Sequence, residues 1–335
     1  MSQPILSVRD LVVEIPTRHG VLRPVDQVSY DIHAGEILGV VGESGAGKSM
    51  TGNAVIGLLD PPARITSGEV LLLGEPIHNI SRDRLRKLRG KRMGMIFQDP
   101  LTSLNPLLTV GEQLTETITE HLNVGQEEAR RRAVAALEEV GIPAAAARIG
   151  SYPHEFSGGM RQRVVIALAL CAEPELVIAD EPTTALDVSV QAQIVALLKR
   201  LCRERGVAVM LVTHDMGVIA EAADRVAVMY AGRLAELGPV REVITQARHP
   251  YTAGLMASTP LASQGRKRLR QIPGAMPRLG ALPEGCAFNP RCDYAQAKCR
   301  QDPSPRIDTC DGRAACWFPL DASTGIAEAG EEAKA

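Results

Sequence analysis

Gly42-Glu43-Ser44-Gly45-Ala46-Gly47-Lys48-Ser49 decides the fold, because it is a complete G-x-x-x-x-G-K-[ST] phosphate-binding loop. Its glycines let backbone N–H groups wrap phosphates, Lys48 reaches the outer phosphates, and the Ser49 hydroxyl is a ligand for Mg2+. The flanks give the loop its context. Ile37-Leu38-Gly39-Val40-Val41 reads as a buried strand, and the segment after the loop reads as a helix running to Gly57. The loop therefore opens onto a helix N-terminus, where anions bind. Apolar runs at 176–179 and 207–212 are also short, rich in β-branched residues and followed by polar ones. They suit central strands of a parallel sheet whose carboxyl ends carry the ligand. The class is α/β, with the chemistry along one edge of one sheet.

The loop alone leaves kinases, GTPases and motor ATPases open. A GTPase also needs a base-reading Asn-Lys-x-Asp, which the chain lacks. A second element narrows the field. Ser157-Gly158-Gly159-Met160-Arg161-Gln162-Arg163 precedes the apolar run Val164 to Ala172, which closes at Glu173-Pro174. It reads as a helix N-terminus with free amides, a second anion site. Taken singly, Ser-Gly-Gly is also an ordinary turn and cap, Asp180-Glu181 a surface pair at a strand end, and His214 a loop histidine.

Their order argues otherwise. Gln98 in Ile96-Phe97-Gln98-Asp99-Pro100 follows the loop, then Phe156-Ser157-Gly158-Gly159-Met160, then Leu176-Val177-Ile178-Ala179-Asp180-Glu181. Thr184-Ala185-Leu186-Asp187 and Val212-Thr213-His214-Asp215 complete the series. Over residues 5 to 245 the chain resembles the ATP-binding subunit of an ATP-binding-cassette (ABC) transporter. The segments resemble, in turn, its Q-loop, signature motif (with Met160 where many members have Gln), Walker B strand, D-loop and switch histidine.

That resemblance implies a P-loop NTPase with a parallel core sheet, an antiparallel β subdomain and a helical subdomain at about 100–172, together forming a nucleotide-binding domain over 1–248. It implies ATP on Gly42 to Ser49, and Mg2+ on Ser49, Gln98 and Asp180. Glu181 would polarise the attacking water, and His214 would contact the γ-phosphate and organise that water. Ser157, Gly158, Gly159 and Met160 would hold the nucleotide of an opposite subunit, with Asp187 in the D-loop between them. Two ATP molecules would be sandwiched in a head-to-tail dimer. The adenine position departs from the pattern. Where the family usually has an aromatic residue, this chain has Arg18-His19-Gly20, so His19 is the nearest equivalent and stacks with less area. The other reading of that stretch is a turn that touches nothing.

The C-terminal piece narrows the subfamily. His249-Pro250-Tyr251-Thr252-Ala253-Gly254-Leu255, Ser258-Thr259-Pro260 and Ile272-Pro273-Gly274 resemble the extension of oligopeptide and dipeptide importers, a group that includes nickel, glutathione and opine systems. This makes 249–320 a small cysteine-rich domain and 321–335 a disordered, acidic tail. Of seven cysteines, Cys286, Cys292, Cys299, Cys310 and Cys316 fall here. In a cytosolic chain such crowding argues for metal rather than disulfides. The C-x5-C-x6-C spacing lacks the C-x2-C knuckle of common zinc sites. The resembled subfamily includes members with a 4Fe-4S cluster, so Cys286, Cys292, Cys299 and Cys316 are its expected ligands, with zinc as the alternative and Cys310 spare. The region is expected to lie far from the phosphate loop. Cys171 and Cys202 sit in apolar helical contexts and read as buried small hydrophobes.

Charge and hydropathy bound the rest. The net charge of −2 indicates no bulk polyanion partner and hence no nucleic acid. The longest apolar run, Val164 to Ala172, falls well short of the roughly 20 residues a membrane span needs. Met1-Ser2-Gln3-Pro4 is not the start of a signal peptide. The basic cluster Arg82, Arg84, Arg86, Lys87, Arg89, Lys91 and Arg92 reads as a solvated helix face, with nucleic-acid or lipid contact as the minor alternative. The resemblance then implies an ATPase on the cytoplasmic face of the inner membrane. Its partners would be a second ATP-binding subunit in a heterodimer, two transmembrane permease subunits and an extracytoplasmic substrate-binding protein. The alternative is a soluble cassette ATPase acting on nucleic acid or ribosomes. Most of those carry two cassettes per chain, whereas one phosphate loop occurs here.

Overall fold

Two sheets, back to back, account for the apolar strands. The computed structural model describes residues 3–184, 186–259, 271–307 and 314–320; Cys310 and the tail at 321–335 lie outside them. The strands are β1 (Leu6–Thr17), β2 (Gly20–Ile32), β3 (Ile37–Val41), β4 (Arg64–Leu72) and β5 (Glu75–Pro76), then β6 (Met93–Ile96), β7 (Leu176–Asp180), β8 (Ala208–Thr213), β9 (Arg225–Tyr230) and β10 (Arg233–Pro239). One sheet is antiparallel, ordered β2-β1-β4-β5; the other is ordered β10-β9-β3-β8-β7-β6. In the second sheet β3, β6, β7, β8 and β9 pair in parallel, and β10 closes one edge antiparallel to β9.

Successive residues of the parallel strands face opposite sides, as a two-residue period requires. Leu38, Val40, Ile178, Met210 and Val212 pack with Val13, Val25 and Val28 of the antiparallel sheet. Ile37, Val41, Val177, Ala179, Val209 and Leu211 face the other way, into a helical core with Leu114, Leu137, Val164 and Ile194. Both faces of the sheet are thus buried, which explains why β3 and β8 read as unbroken apolar runs rather than alternating ones.

The register sets the site. Val41 pairs with Thr213 and Asp180 with Val212, so β3, β7 and β8 end level. Helix Lys48–Ile56 follows β3 and stops at Gly57, whose φ of 71° is the left-handed cap that glycine adopts without a steric penalty. Helix Val188–Arg205 ends the same way at Gly206. Between β6 and β7 the chain is helical, with principal helices Val110–His121, Gln126–Glu139 and Gly158–Leu170. The first opens with a reciprocal Thr109/Glu112 capping box. Beyond β10 come helices Val240–Thr245, Pro250–Ala257 and Ala297–Gln301. The far end of the extension returns to the cassette: Ala315 N–H donates to Ala235 of β10 at 2.8 Å.

The basic cluster is only partly a solvated face. Helix Arg82–Leu88 buries none of its residues. Arg89, however, is half-buried and donates to the carbonyls of Ile56 (2.9 Å) and Gly57. It caps the C-terminus of the phosphate-loop helix, where a cation meets the negative end of the dipole.

Candidate functional site

The phosphate loop is shaped by close backbone contacts. A Cβ on Gly42 would sit 2.3 Å from the Met229 carbonyl, and one on Gly47, at φ 102°, 2.1 Å from the Pro24 carbonyl. Neither position admits another residue without moving backbone. Lys48 is buried and folds back over the loop, donating to the carbonyls of Gly42 (2.9 Å) and Glu43 (3.1 Å). Burial pushes its ammonium below the usual lysine range, against the pull of Glu181 and Asp180. A cation this poorly hydrated favours an anionic ligand strongly.

Ser49 Oγ donates to Asp180 Oδ1 at 2.9 Å, joining the loop to the end of β7. Burial raises the Asp180 pKa, as does neighbouring Glu181, while the Ser49 hydrogen bond and Lys48 lower it. A hydroxyl and a carboxylate at hydrogen-bond distance, with Gln98 nearby on Glu181, are the hard oxygen donors Mg2+ takes when phosphates complete its shell. The donor set fits that ion.

Glu181 follows at φ 47°, an unusual backbone for a non-glycine residue that turns its side chain across the strand ends. Its Oε2 accepts from Gln98 Nε2 (3.2 Å) and Thr184 Oγ1 (2.9 Å), and its Oε1 contacts His214 Nδ1 at 3.2 Å. Burial alone would raise its pKa; the hydrogen bonds from His214 and Thr184 and the charges of His214 and Lys48 outweigh that and hold it below the usual Glu value. Gln98, Glu181 and His214, read from three separate segments of sequence, meet here. Thr184 was missed as a donor: it lies in the D-loop segment, but nothing in the sequence orients its hydroxyl.

Ser157 caps helix Gly158–Leu170, its Oγ accepting from the Met160 N–H at 3.4 Å. Ser157 and Gly158 are exposed, and a Cβ on Gly158 would meet nothing within 4 Å. On Gly159 it would strike Val190 at 2.7 Å. Asp187 is the N-cap residue of helix Val188–Arg205, with Val188 beside it 83% exposed. His19 is exposed at the turn between β1 and β2, its amide held by Thr17 Oγ1 at 3.2 Å.

Cys286, Cys292, Cys299 and Cys316 are unpaired and line a single cavity against Phe288 and Trp317. Burial pushes the thiols of Cys292 and Cys316 up to about 11 and raises Cys286 as well. Among the described residues no group of three or more His, Cys, Asp or Glu is placed to hold a metal ion. The sequence expectation of a 4Fe-4S cluster or zinc finds no support in this placement: the four cysteines share a cavity, but no three of them are placed to hold an ion. Distance from the phosphate loop, also expected, is overturned, because Arg291, beside Cys292, pairs with Glu43. Cys171 and Cys202 are buried, as expected.

Comparison with known proteins fits this geometry. Residues 25–184 match the family described as "ABC transporter", and residues 235–299 the "Oligopeptide/dipeptide transporter, C-terminal region". The dipeptide transport ATP-binding protein DppD of Bacillus subtilis is 45% identical over 94% of this chain and 95% of its own length. The oligopeptide transport ATP-binding protein OppD of the same organism is 50% identical over 87% and 82%. The chain belongs to the ABC transporter ATPases. Among solved structures, the dimeric ATP-binding cassette MJ0796, in a post-hydrolysis state bound to ADP and Pi, shares 29% identity over 70% of this chain and 99% of its own, with a TM-score of 0.63. This ABC ATPase hydrolyses ATP in a cycle coupled to transport. Nothing in the comparisons favours the nucleic-acid alternative. Among the described residues no helix is long and apolar enough to cross a membrane.

Proposed function

We propose that this chain is the ATP-hydrolysing motor subunit of a bacterial importer for peptides or a related small solute. It would work as half of a nucleotide-sandwich heterodimer at the cytoplasmic face of the inner membrane, on two permease subunits fed by an extracytoplasmic binding protein. The observation that carries the reading is the pairing of a cassette with an oligopeptide/dipeptide-type extension in one chain, similar throughout to dipeptide and oligopeptide transport subunits.

The side chains support a definite division of labour. Lys48, freed from the carbonyls of Gly42 and Glu43, binds the outer phosphates. Ser49, Gln98 and Asp180 would hold Mg2+, which would neutralise phosphate charge. Glu181 is the base. Each carboxylate oxygen accepts two hydrogen bonds; Oε2 is filled by Gln98 and Thr184, whereas among the described residues Oε1 has His214 alone. The free position on Oε1 is where a water would be polarised, with His214 alongside. Ser157 and Gly158, exposed at a helix N-terminus, are suited to a phosphate on a partner subunit. His19 is the remaining candidate to lie beside the adenine of the nucleotide.

For the cysteines we propose a 4Fe-4S cluster, ahead of zinc. Support comes from four unpaired thiols lining one cavity. Against it stands the lack of any three groups placed to hold an ion among the described residues.

The transport reading is tested by deleting the gene and measuring uptake of labelled dipeptides and oligopeptides. Uptake should fall, return with the wild-type gene and stay low with Glu181→Gln. Unchanged peptide uptake in the deletion strain, together with ATPase activity stimulated by RNA, would overturn it.

A further inference from the structure

The second residue of the phosphate loop is an acid, and an anion there opposes the ligand the loop exists to bind. Glu43 is not left to itself. Arg291, from the C-terminal extension 248 positions away, sets Nη1 at 3.1 Å from both Glu43 carboxylate oxygens. The Arg291 side chain is only 7% exposed. It is fixed by further donations to the Pro273 carbonyl (2.8 Å), the Gly274 carbonyl (3.4 Å) and the Tyr230 hydroxyl (3.4 Å). Two more contacts bring the extension onto the loop: Tyr251 OH accepts the Glu43 N–H at 2.9 Å, and the Met276 methyl lies 3.1 Å from where a Gly45 Cβ would stand. Tyr251 and Tyr230 are themselves locked edge to face, 4.6 Å between ring centres.

We propose that Arg291 is a positioning and charge-compensating residue of the ATP site, supplied by the extension. It holds the Glu43 side chain away from the loop's interior and cancels its charge, so that the phosphates meet backbone amides and Lys48 rather than a carboxylate. Because the pair is mostly shielded from water, its field is screened less than that of a surface pair. The order of the extension, including the segment that carries Cys292, thereby feeds into nucleotide affinity. The proposal rests on the phosphate loop being the ATP site.

Binding of Mg2+-ATP to the full chain tests it, by calorimetric titration with thermal melting alongside. Arg291→Gln leaves Glu43 uncompensated and should weaken binding about tenfold, or about 1.4 kcal/mol. Arg291→Gln combined with Glu43→Gln restores local neutrality and should return affinity to within about threefold of wild type (about 0.65 kcal/mol). Arg291→Lys keeps the charge and should do likewise. Raising the salt concentration should narrow the gap between Arg291→Gln and wild type. An Arg291 that merely braces the extension would lower the melting temperature without this charge-rescue pattern. The proposal is overturned if Arg291→Gln binds as wild type does, if the double variant is as weak as the single one, or if Arg291→Lys is as weak as Arg291→Gln. Lys48→Ala is the control: if it too binds Mg2+-ATP normally, the failure lies with the site assignment rather than with Arg291.

Discussion

Replacing Glu181 by Gln keeps the shape of the site and removes the charge. An amide in place of the carboxylate retains one acceptor oxygen, so the Thr184 and Gln98 contacts on one side survive while the atom facing His214 becomes a donor or loses basicity. The hydrogen bonds of the phosphate loop stay in place, since Lys48 donates to the Gly42 and Glu43 carbonyls and Ser49 to Asp180, none of them to Glu181. Binding of ATP should therefore persist. Loss of a general base costs about 10²- to 10⁴-fold in rate, which at 1.36 kcal/mol per decade is about 3–5.5 kcal/mol of barrier. The assay is phosphate release at saturating Mg2+-ATP, set beside equilibrium nucleotide binding and, by light scattering, dimer formation. The expected result is unchanged affinity, turnover reduced at least about 100-fold, and accumulation of an ATP-bound dimer. Turnover within about tenfold of wild type would remove Glu181 from the base role, as a positioned base contributes more than that. The pH dependence has a definite sign. Because the Glu181 pKa is held down, the carboxylate stays charged through neutrality, and its pairing with His214 and Thr184 adds stability above the ordinary Glu range. That contribution, and the activity, are lost only as pH falls through the lowered value.

Three further outcomes are expected. Thr184→Ala removes one hydrogen bond that lowers the Glu181 pKa, so the acid limb of the pH–rate profile should move to higher pH with turnover reduced a few-fold; an unmoved limb would show the bond to be idle. Gly158→Asp fits this chain without a clash, and by placing a carboxylate beside a partner's phosphate it should block ATP-dependent dimerisation while leaving nucleotide binding to its own loop intact; dimers that still form would rule out the in-trans role. Anaerobically purified protein should be brown and contain iron and sulfide, and Cys292→Ser should lose both; colourless protein with one zinc per chain would replace the cluster with zinc, and metal-free protein with an ordered extension would exclude both.

What the sequence made legible was local in a specific sense. Gly42 to Ser49, Asp180 and the helix stops at Gly57 and Gly206 were readable because each obeys a rule spanning a few residues, and parallel pairing then brings the strand ends level without further information. The Glu181 network was half readable: its members announce themselves by motif, but that Thr184 rather than another hydroxyl completes Oε2 depends on the positive φ at Glu181, which no pattern displays. Arg89 was misread because charge density on a short helix implies solvent, while its long side chain reaches across to carbonyls left over at the end of another helix. Arg291 lay beyond any local rule. Its partner is a loop residue 248 positions earlier, and its neighbour Cys292 drew the reading toward metal chemistry instead. The signal that was available is electrostatic. An acid inside a phosphate-binding loop requires compensation, and a cation has to come from somewhere. The cassette's own lysine, committed to the phosphates, does not serve, so the search for that cation leads out of the cassette and into the extension.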